Sequence, residues 1–488
     1  MEARRVVVVG YGMAGARLAE EIRDRDPDGV RVALTVVGAE PHPAYNRVLL
    51  SNVLAGGVDV DAVRLHEPDW GHRSGVDLRI GTAAVRVDRA ARVVELADGQ
   101  ALPYDALVLA TGSVPRLPPV PGLFGPDGGL SDGVAVFRDL DDCLRILAAA
   151  RPGAPVAVLG GGLLGLEAAR GLVGRGNLVT VVHPLGHPME RQLDPGAGRV
   201  LADALGRTGV EFRFGRSARG YTPGVGLELD DGTAVPAELL VVATGVRPEA
   251  GLARACGLAV EQGIVVDDAL RTTDPRIHAL GDCAQHRGTV NGLVQPAWEQ
   301  ATVLAALLTG ADPGIRYRGT PVVTRLKARG IDLTSLGEVH VEPDEPGVEV
   351  LRVEDPTRGR YAKIVLRDNL VVGAVLLGVP DAAATVTQLF DQGMPAPDDR
   401  LALLLGRALV TGPTGSTAPA DLPGTTLVCR CNTVRKEQLV TAWNTGARAV
   451  GALALATRAT TGCGTCLDVV TAIADWLATR KPAPDLAS

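Results

Sequence analysis

The strongest constraint on this chain is a pattern that occurs twice, 150 residues apart: a short apolar run rich in valine, the spacing Gly-x-Gly-x-x-Gly, and a helix-forming stretch. In the first copy residues 6–9 are four valines, which read as a buried parallel strand, and Gly10, Gly12 and Gly15 follow. The first glycine permits a tight turn, the second lets the backbone approach a pyrophosphate, and the third allows helix and strand to pack closely. Residues 16–25 have the apolar spacing of the ensuing helix, whose N-terminus would face the anion. In the second copy residues 156–159 lead into Gly160, Gly162 and Gly165. One such spacing is also compatible with a glycine-rich turn in some other parallel α/β protein. Two of them, each between a strand and a helix, call for two dinucleotides: a tightly held flavin and a diffusing nicotinamide.

With 488 residues the chain has room for about three domains. A formal charge of -7 gives no electrostatic case for general nucleic-acid binding. No run of 18 apolar residues predicts a membrane span, and the four valines are too short for an export signal. A cytoplasmic location is therefore expected, where the seven cysteines would be free, catalytic or metal-bound rather than disulfide-paired. They are unevenly placed. Cys143, Cys256 and Cys283 are scattered, and Cys429, Cys431, Cys463 and Cys466 fall in the last 60 residues.

Taken in order, residues 32–37 read as the second strand, and Glu40 just beyond it can accept hydrogen bonds from an adenosine ribose. Arg47 offers a fork of donors to a phosphate. A surface acid and a solvated arginine are the competing readings. Residues 76–80, 92–96 and 102–109 look like strands, the last ending in Ala110-Thr111-Gly112, a turn that would carry the chain back past the cofactor. In the second nucleotide fold the strand at 178–182 ends at His183, so neither the acidic rule for NAD nor the basic rule for NADP decides the cofactor. Residues 201–209 look helical, 210–214 and 239–243 strand-like. A short strand at 277–282 delivers Asp282 beside Gly281, suited to polyol or pyrophosphate groups. Met13, Leu163, Leu164 and Cys283 read as packing residues.

Short strands alternate with charged or glycine turns from 321 to 377, and helices are expected at 382–391 and 401–409. Residues 411–426, rich in Gly, Pro, Ser and Thr, read as a flexible linker. Beyond it, Cys429-x-Cys431 and Cys463-x-x-Cys466 enclose 31 intervening residues, with short helices expected at 435–443, 449–456 and 466–477. Two close thiolate pairs in a small helical fold suit tetrahedral iron or zinc, and spacing alone leaves both open.

The segments VVGYGMAG at 8–15, YNRVLLSNVLAG at 45–56, GGGLLGLEAA at 160–169, MERQLD at 189–194, ATGVRP at 243–248 and ALGDCA at 279–284 carry a family resemblance over nearly the whole chain. It resembles the nitrite-reductase large-subunit branch of the flavoprotein disulfide-reductase superfamily. The tail, with TRATTGCGTC from residue 457, resembles the bacterioferritin-associated-ferredoxin type of [2Fe–2S] domain. The implied fold class is α/β, with two Rossmann-like three-layer nucleotide-binding domains, a small α+β third domain that is commonly an interface or lid module, and a small helical iron–sulfur domain. The expected divisions are 1–120 with 245–320 for FAD, 121–244 for NAD(P)H, 321–395 for the third domain, 396–426 for a helix and linker, and 427–482 for the cluster.

By the same resemblance Gly10, Gly12, Gly15, Glu40, Arg47, Thr111 and Asp282 would hold FAD. Gly160, Gly162, Gly165 and Glu167 would lie on the NAD(P)H side. A helix starting at 294–302 would bring Gln295 and Pro296 nearest the ring, and Cys429, Cys431, Cys463 and Cys466 would ligate the cluster. No CxxC or CxxxxC occurs in the first 428 residues, so the superfamily's disulfide chemistry is not expected. Hydride transfer needs no side-chain base, and no catalytic side chain is nominated. The implied activity is NAD(P)H oxidation with electrons passing by FAD and [2Fe–2S] to a separate protein. Because no cysteines remain for a sirohaem-linked cluster, nitrite reduction by this chain alone is not expected. The architecture is similar to electron-transfer subunits of assimilatory nitrate reductases, which implies a nitrate reductase catalytic subunit, or a separate nitrite reductase, as partner, without nucleic acid or membrane. The competing readings are a ferredoxin or rubredoxin reductase with its own fused ferredoxin, a flavin-dependent amine oxidoreductase subunit, and a redox-sensing interaction protein.

Overall fold

The four valines end where their branching suits them, buried in Arg4–Val9, the middle strand of a five-stranded parallel sheet. The strand order is Ile277–Ala279, Ala106–Leu109, Arg4–Val9, Val32–Gly38, Asp77–Ile80. Every pairing in it is parallel. The computed structural model describes residues 2–404, 419–420, 422–462 and 464–479. It divides into two units: 1–160 with 175–177 and 218–322, and 161–174 with 178–217 and 323–488.

In the first unit, helices Met13–Arg25 and Val294–Thr309 pack on each other and share one core with the parallel sheet. A second layer is the antiparallel sheet Ala84–Asp88, Val93–Leu96 and Ala101–Pro103. The strand expected at 102–109 is therefore two strands. Ala101–Pro103 pairs antiparallel with Val93–Leu96, and after the intervening Tyr104-Asp105 the chain enters the parallel sheet as Ala106–Leu109. Pro103 lacks the N–H that a continuous ladder would need. The same unit holds Pro155–Leu159, Leu239–Val242 and Val134–Val136, paired in parallel, and an antiparallel ribbon of Ala218–Thr222, Gly226–Leu229 and Ala234–Pro236.

The second unit begins with helix Leu163–Gly174 and the parallel pair Leu178–His183 and Val210–Phe214. The helix expected at 201–209 is Pro195–Gly206. It starts earlier because Asp194 caps it, accepting from the Ala197 N–H at 2.9 Å, with Pro195 in the first turn. The glycines at 196 and 198 concealed that start. The third region is a five-stranded antiparallel sheet ordered Val323–Ala328, Ile331–Gly337, Leu370–Leu377, Arg360–Arg367, Val348–Asp355. Helix Pro380–Gln392 covers its apolar face. The tail is a hairpin, Leu427–Cys429 with Val434–Arg435, and helices Lys436–Asn444, Val450–Thr457 and Leu467–Thr479. Of the helix expected at 401–409, Arg400–Leu404 is described; its remainder and most of the linker lie outside the described residues.

Within the second unit, buried polar contacts join 178–217 to the third region. Asp194, besides capping its helix, accepts from the Tyr361 hydroxyl at 2.7 Å and lies 3.3 Å from the Lys363 ammonium. Asp194 and Lys363 are 5% and 3% exposed, so neither charge can lose its partner to water. Ser335 adds a bond to the Gln192 carbonyl at 2.7 Å. Asp194→Ala removes the cap and strands Lys363, and is expected to cost about 3–5 kcal/mol. Tyr361→Phe is expected to cost about 1 kcal/mol. Chemical denaturation of the full chain measures both; equal, near-zero losses would contradict the buried pair.

Candidate functional site

Gly10 has φ +115, and a Cβ there would lie 2.1 Å from the Ala110 carbonyl oxygen. A Cβ on Gly15 would lie 1.9 Å from the Gly10 oxygen. Both positions therefore admit only glycine. Gly12 differs: a Cβ there meets nothing closer than the Arg47 side chain at 3.8 Å. The space above Gly12 belongs to a cleft of about 500 Å³, within the range of ligand sites. Gly12, Met13 and Ala14 line it, and helix Met13–Arg25 begins there with no side-chain cap. Free N–H groups at the positive end of a helix dipole suit a pyrophosphate.

Glu40, Arg47, Thr111 and Asp282, expected from sequence, all line this cleft. Glu40 pairs with Arg47 and accepts from the Tyr45 hydroxyl at 2.6 Å, which itself accepts from the Leu140 N–H at 3.0 Å. Thr111 donates to the Glu249 carbonyl at 2.5 Å. On helix Val294–Thr309 the wall is made by Val294 and Ala297, which share a face at i and i+3. Gln295 and Pro296 do not line the cleft; Gln295 bonds Glu299 at 3.0 Å, and Pro296 is buried.

Three groups of this cleft escaped the sequence reading. Arg138 donates to Asp282 at 2.8 Å and to the Ser113 hydroxyl at 2.7 Å, while Ser113 donates to the same Asp282 oxygen at 2.8 Å. Arg138 lies 144 residues before Asp282, and no motif marks it. Tyr11, between two fingerprint glycines, has its hydroxyl 2.6 Å from His66 Nδ1, and His66 Nε2 lies 2.8 Å from Glu20. That chain fixes Tyr11 in the cleft wall, and burial raises its phenol above the usual range. Cys283 is fully buried and burial raises its thiol, which suits a packing residue and not a nucleophile.

The second glycine turn repeats the first. Gly160 has φ +118, and a Cβ there would lie 2.3 Å from the Ala243 oxygen. Gly162 faces open space. Gly165 is buried on helix Leu163–Gly174. Glu167 on that helix is buried and accepts from the Lys327 N–H at 3.0 Å and the Lys327 ammonium at 3.1 Å. Its carboxylate is thus engaged by the first strand of the third region. His183, at the end of its strand, accepts from the Gly161 N–H at 3.1 Å, and burial lowers its pKa.

In the tail, Cys429, Cys431 and Cys466 are buried. Hydrogen bonding with Cys466 is the main cause that holds the Cys429 thiol down at about 6, and the Asn432 amide adds a contact at 3.7 Å. A thiol poised to ionise beside an N–H donor fits metal–sulfur ligation. Among the described residues no three His, Cys, Asp or Glu side chains are arranged to hold a metal. The fourth expected ligand, Cys463, lies outside the described residues.

Residues 4–302 match the family described as pyridine nucleotide-disulphide oxidoreductase. The chain belongs to this family. Residues 322–394 match the rubredoxin NAD+ reductase C-terminal domain, and 427–476 the BFD-like [2Fe-2S] binding domain. The chain is 36% identical over 474 residues to a nitrite reductase [NAD(P)H] of Bacillus subtilis, covering 96% of this chain and 57% of that protein. It is 34% identical over 474 residues to the assimilatory nitrate reductase electron transfer subunit of the same organism, covering 96% and 59%. It thus spans between half and two thirds of these relatives' lengths. Among solved structures, a covalent putidaredoxin reductase–putidaredoxin complex matches with TM-score 0.72 and 27% identity over 80% of this chain and 94% of that one.

This member of the family carries FAD/NAD(P)H-binding and [2Fe–2S]-binding domains. It is an NAD(P)H-dependent, FAD-containing oxidoreductase of that family. Among the described residues no helix is long and apolar enough to cross a membrane. The two glycines separate folding from binding. Gly12→Ala is expected to fold with the Tm of the wild-type apoprotein but lose flavin affinity by at least about tenfold, because its methyl meets the protein only at the ordinary contact distance of 3.8 Å and stands where the ligand would lie. Gly10→Ala is expected to fail to fold. Bound-flavin absorbance and circular dichroism of the purified variants distinguish the two.

Proposed function

We propose that this chain oxidises NAD(P)H and delivers the electrons, by way of its own cysteine module, to a separate redox protein. The carrying observation is the coexistence, in one chain, of a glycine-cradled cleft above Gly12 and the buried, hydrogen-bonded thiols Cys429 and Cys466. When bound, FAD supplies the exchange between two-electron and one-electron chemistry, and [2Fe–2S] supplies one-electron carriage.

The chain's own groups then have simple duties. Gly10, Gly12 and Gly15 admit the FAD pyrophosphate to the helix N-terminus, Glu40 accepts from the ribose, and Arg47 neutralises phosphate. Asp282, aimed by Arg138 and Ser113, and Thr111 orient the remaining polar chain. Gly160, Gly162 and Gly165 receive the nicotinamide nucleotide, and Glu167 holds its helix to Lys327. Cys429, Cys431, Cys463 and Cys466 ligate the iron.

For the acceptor, the match of 322–394 to a rubredoxin NAD+ reductase domain and the likeness to putidaredoxin reductase support a ferredoxin/rubredoxin-reductase type of enzyme, here fused to its own ferredoxin-like module. The likeness to the Bacillus electron transfer subunit supports a nitrate reductase catalytic subunit as the specific partner.

Anaerobic stopped-flow mixing with NADH or NADPH is expected to bleach the flavin within one turnover. Metal analysis is expected to give about two irons and two acid-labile sulfides per chain. Cys466→Ala is expected to keep flavin reduction within about twofold while cutting reduction of cytochrome c, or of an added nitrate reductase, at least about tenfold. A flavin that stays oxidised with both nucleotides, or zinc in place of iron, sinks the reading.

A further inference from the structure

We propose that His183 and Glu190 together set the choice between the two nicotinamide dinucleotides, and set it for NADH. This rests on residues 160–165 being the NAD(P)H loop. In a βαβ dinucleotide fold the adenosine ribose lies beyond the end of the second strand. A carboxylate there accepts from the 2′-hydroxyl, and an arginine there receives a 2′-phosphate. In this chain that strand, Leu178–His183, ends in a histidine.

The ring of His183 is committed to the loop. Its Nδ1 accepts from the Gly161 N–H at 3.1 Å, so the neutral ring carries its proton on Nε2. That nitrogen lies 3.2 Å from the Glu190 carboxylate. The imidazole's own acceptor is thus spent on the loop, and the acid 3.2 Å from its other nitrogen is Glu190, whose side chain remains 31% exposed where His183 is 7% exposed.

Glu190 is held in place from its other side as well. Met189, its neighbour, is buried and adopts φ 53, a costly backbone for a residue with a Cβ. The strain is balanced by three bonds: the Met189 N–H donates to the Gly161 carbonyl at 3.0 Å, and the Met189 carbonyl accepts from the Gln192 and Leu193 N–H groups at 2.8 and 2.9 Å. The Gly161 carbonyl is thus taken by the segment that presents Glu190, and its N–H by His183. The carboxylate is registered to the glycine loop and is not a mobile surface acid.

A 2′-phosphate brought to this place would meet a carboxylate and be repelled, whereas a 2′-hydroxyl can donate to it. Arg216 is held at the strand end, where its N–H donates to the His183 carbonyl at 3.2 Å. Its guanidinium bonds the Gly215 carbonyl at 3.2 Å.

The test is isothermal titration of NAD+ and NADP+ into the full-length, flavin-loaded protein. The wild type is expected to bind NAD+ at least about tenfold tighter than NADP+. Glu190→Gln keeps shape and hydrogen bonding while removing the charge, and is expected to bring the two affinities within about threefold. Glu190→Arg is expected to reverse the preference. His183→Ala is expected to narrow it, with flavin content and Tm reporting on the fold. Equal wild-type affinities, or a ratio unmoved by Glu190→Gln, overturn the assignment while leaving the NAD(P)H reading intact. Failure of both nucleotides to bind overturns the assignment and that reading together.

Discussion

The glycine turns set close backbone approaches in both nucleotide folds. Ala110 stands over Gly10 and Ala243 over Gly160, so close that a methyl group would fall 2.1 and 2.3 Å from a carbonyl oxygen. In each case the alanine also donates its N–H to the residue before the glycine, Ala110 to Val9 and Ala243 to Leu159, both at 2.8 Å. Neighbouring strand ends are thereby drawn against the turn, and what each leaves open, at Gly12 and Gly162, is the room for a ligand. Side-chain rotation cannot relieve a backbone collision, so the spacing of these glycines is a rigid requirement. Both alanines open the tripeptide Ala-Thr-Gly, at 110–112 and 243–245. The recurring tripeptide is the second half of the same packing device.

Around these turns the chain invests buried charge. Asp194 with Lys363 and Tyr361, and Glu167 with Lys327, tie the segments 178–217 and 161–174 to the third region's sheet. Such pairs cost desolvation and return it only with good geometry, so they specify partners more than they add stability. They also account for the way compactness divides the chain. Residues 161–174 and 178–217 gather with 323–488.

In the cleft above Gly12 the same logic works at the site. Asp282 and Glu40 are both acids with a fixed arginine and a fixed hydroxyl: Arg138 and Ser113 for one, Arg47 and Tyr45 for the other. Each carboxylate is oriented before any ligand arrives, which lowers the ordering cost of binding.

The valine runs, the two glycine spacings and the paired cysteines were legible because each is a local demand: a strand that must be apolar, a turn that excludes Cβ, a metal that requires thiolates at short separation. Those demands alone indicated parallel α/β folds, two nucleotides and a metal-binding tail. The sequence did not disclose Arg138 on Asp282, His66 beneath Tyr11, Lys327 on Glu167 or Glu190 behind His183. It also misplaced the start of the helix at Asp194 and read 102–109 as one strand. In every one of those cases the deciding contact joins residues with no fixed separation along the chain, or depends on which sheet a strand enters. Side-chain type alone does not choose among such partners; only the packed backbone brings them within hydrogen-bond reach.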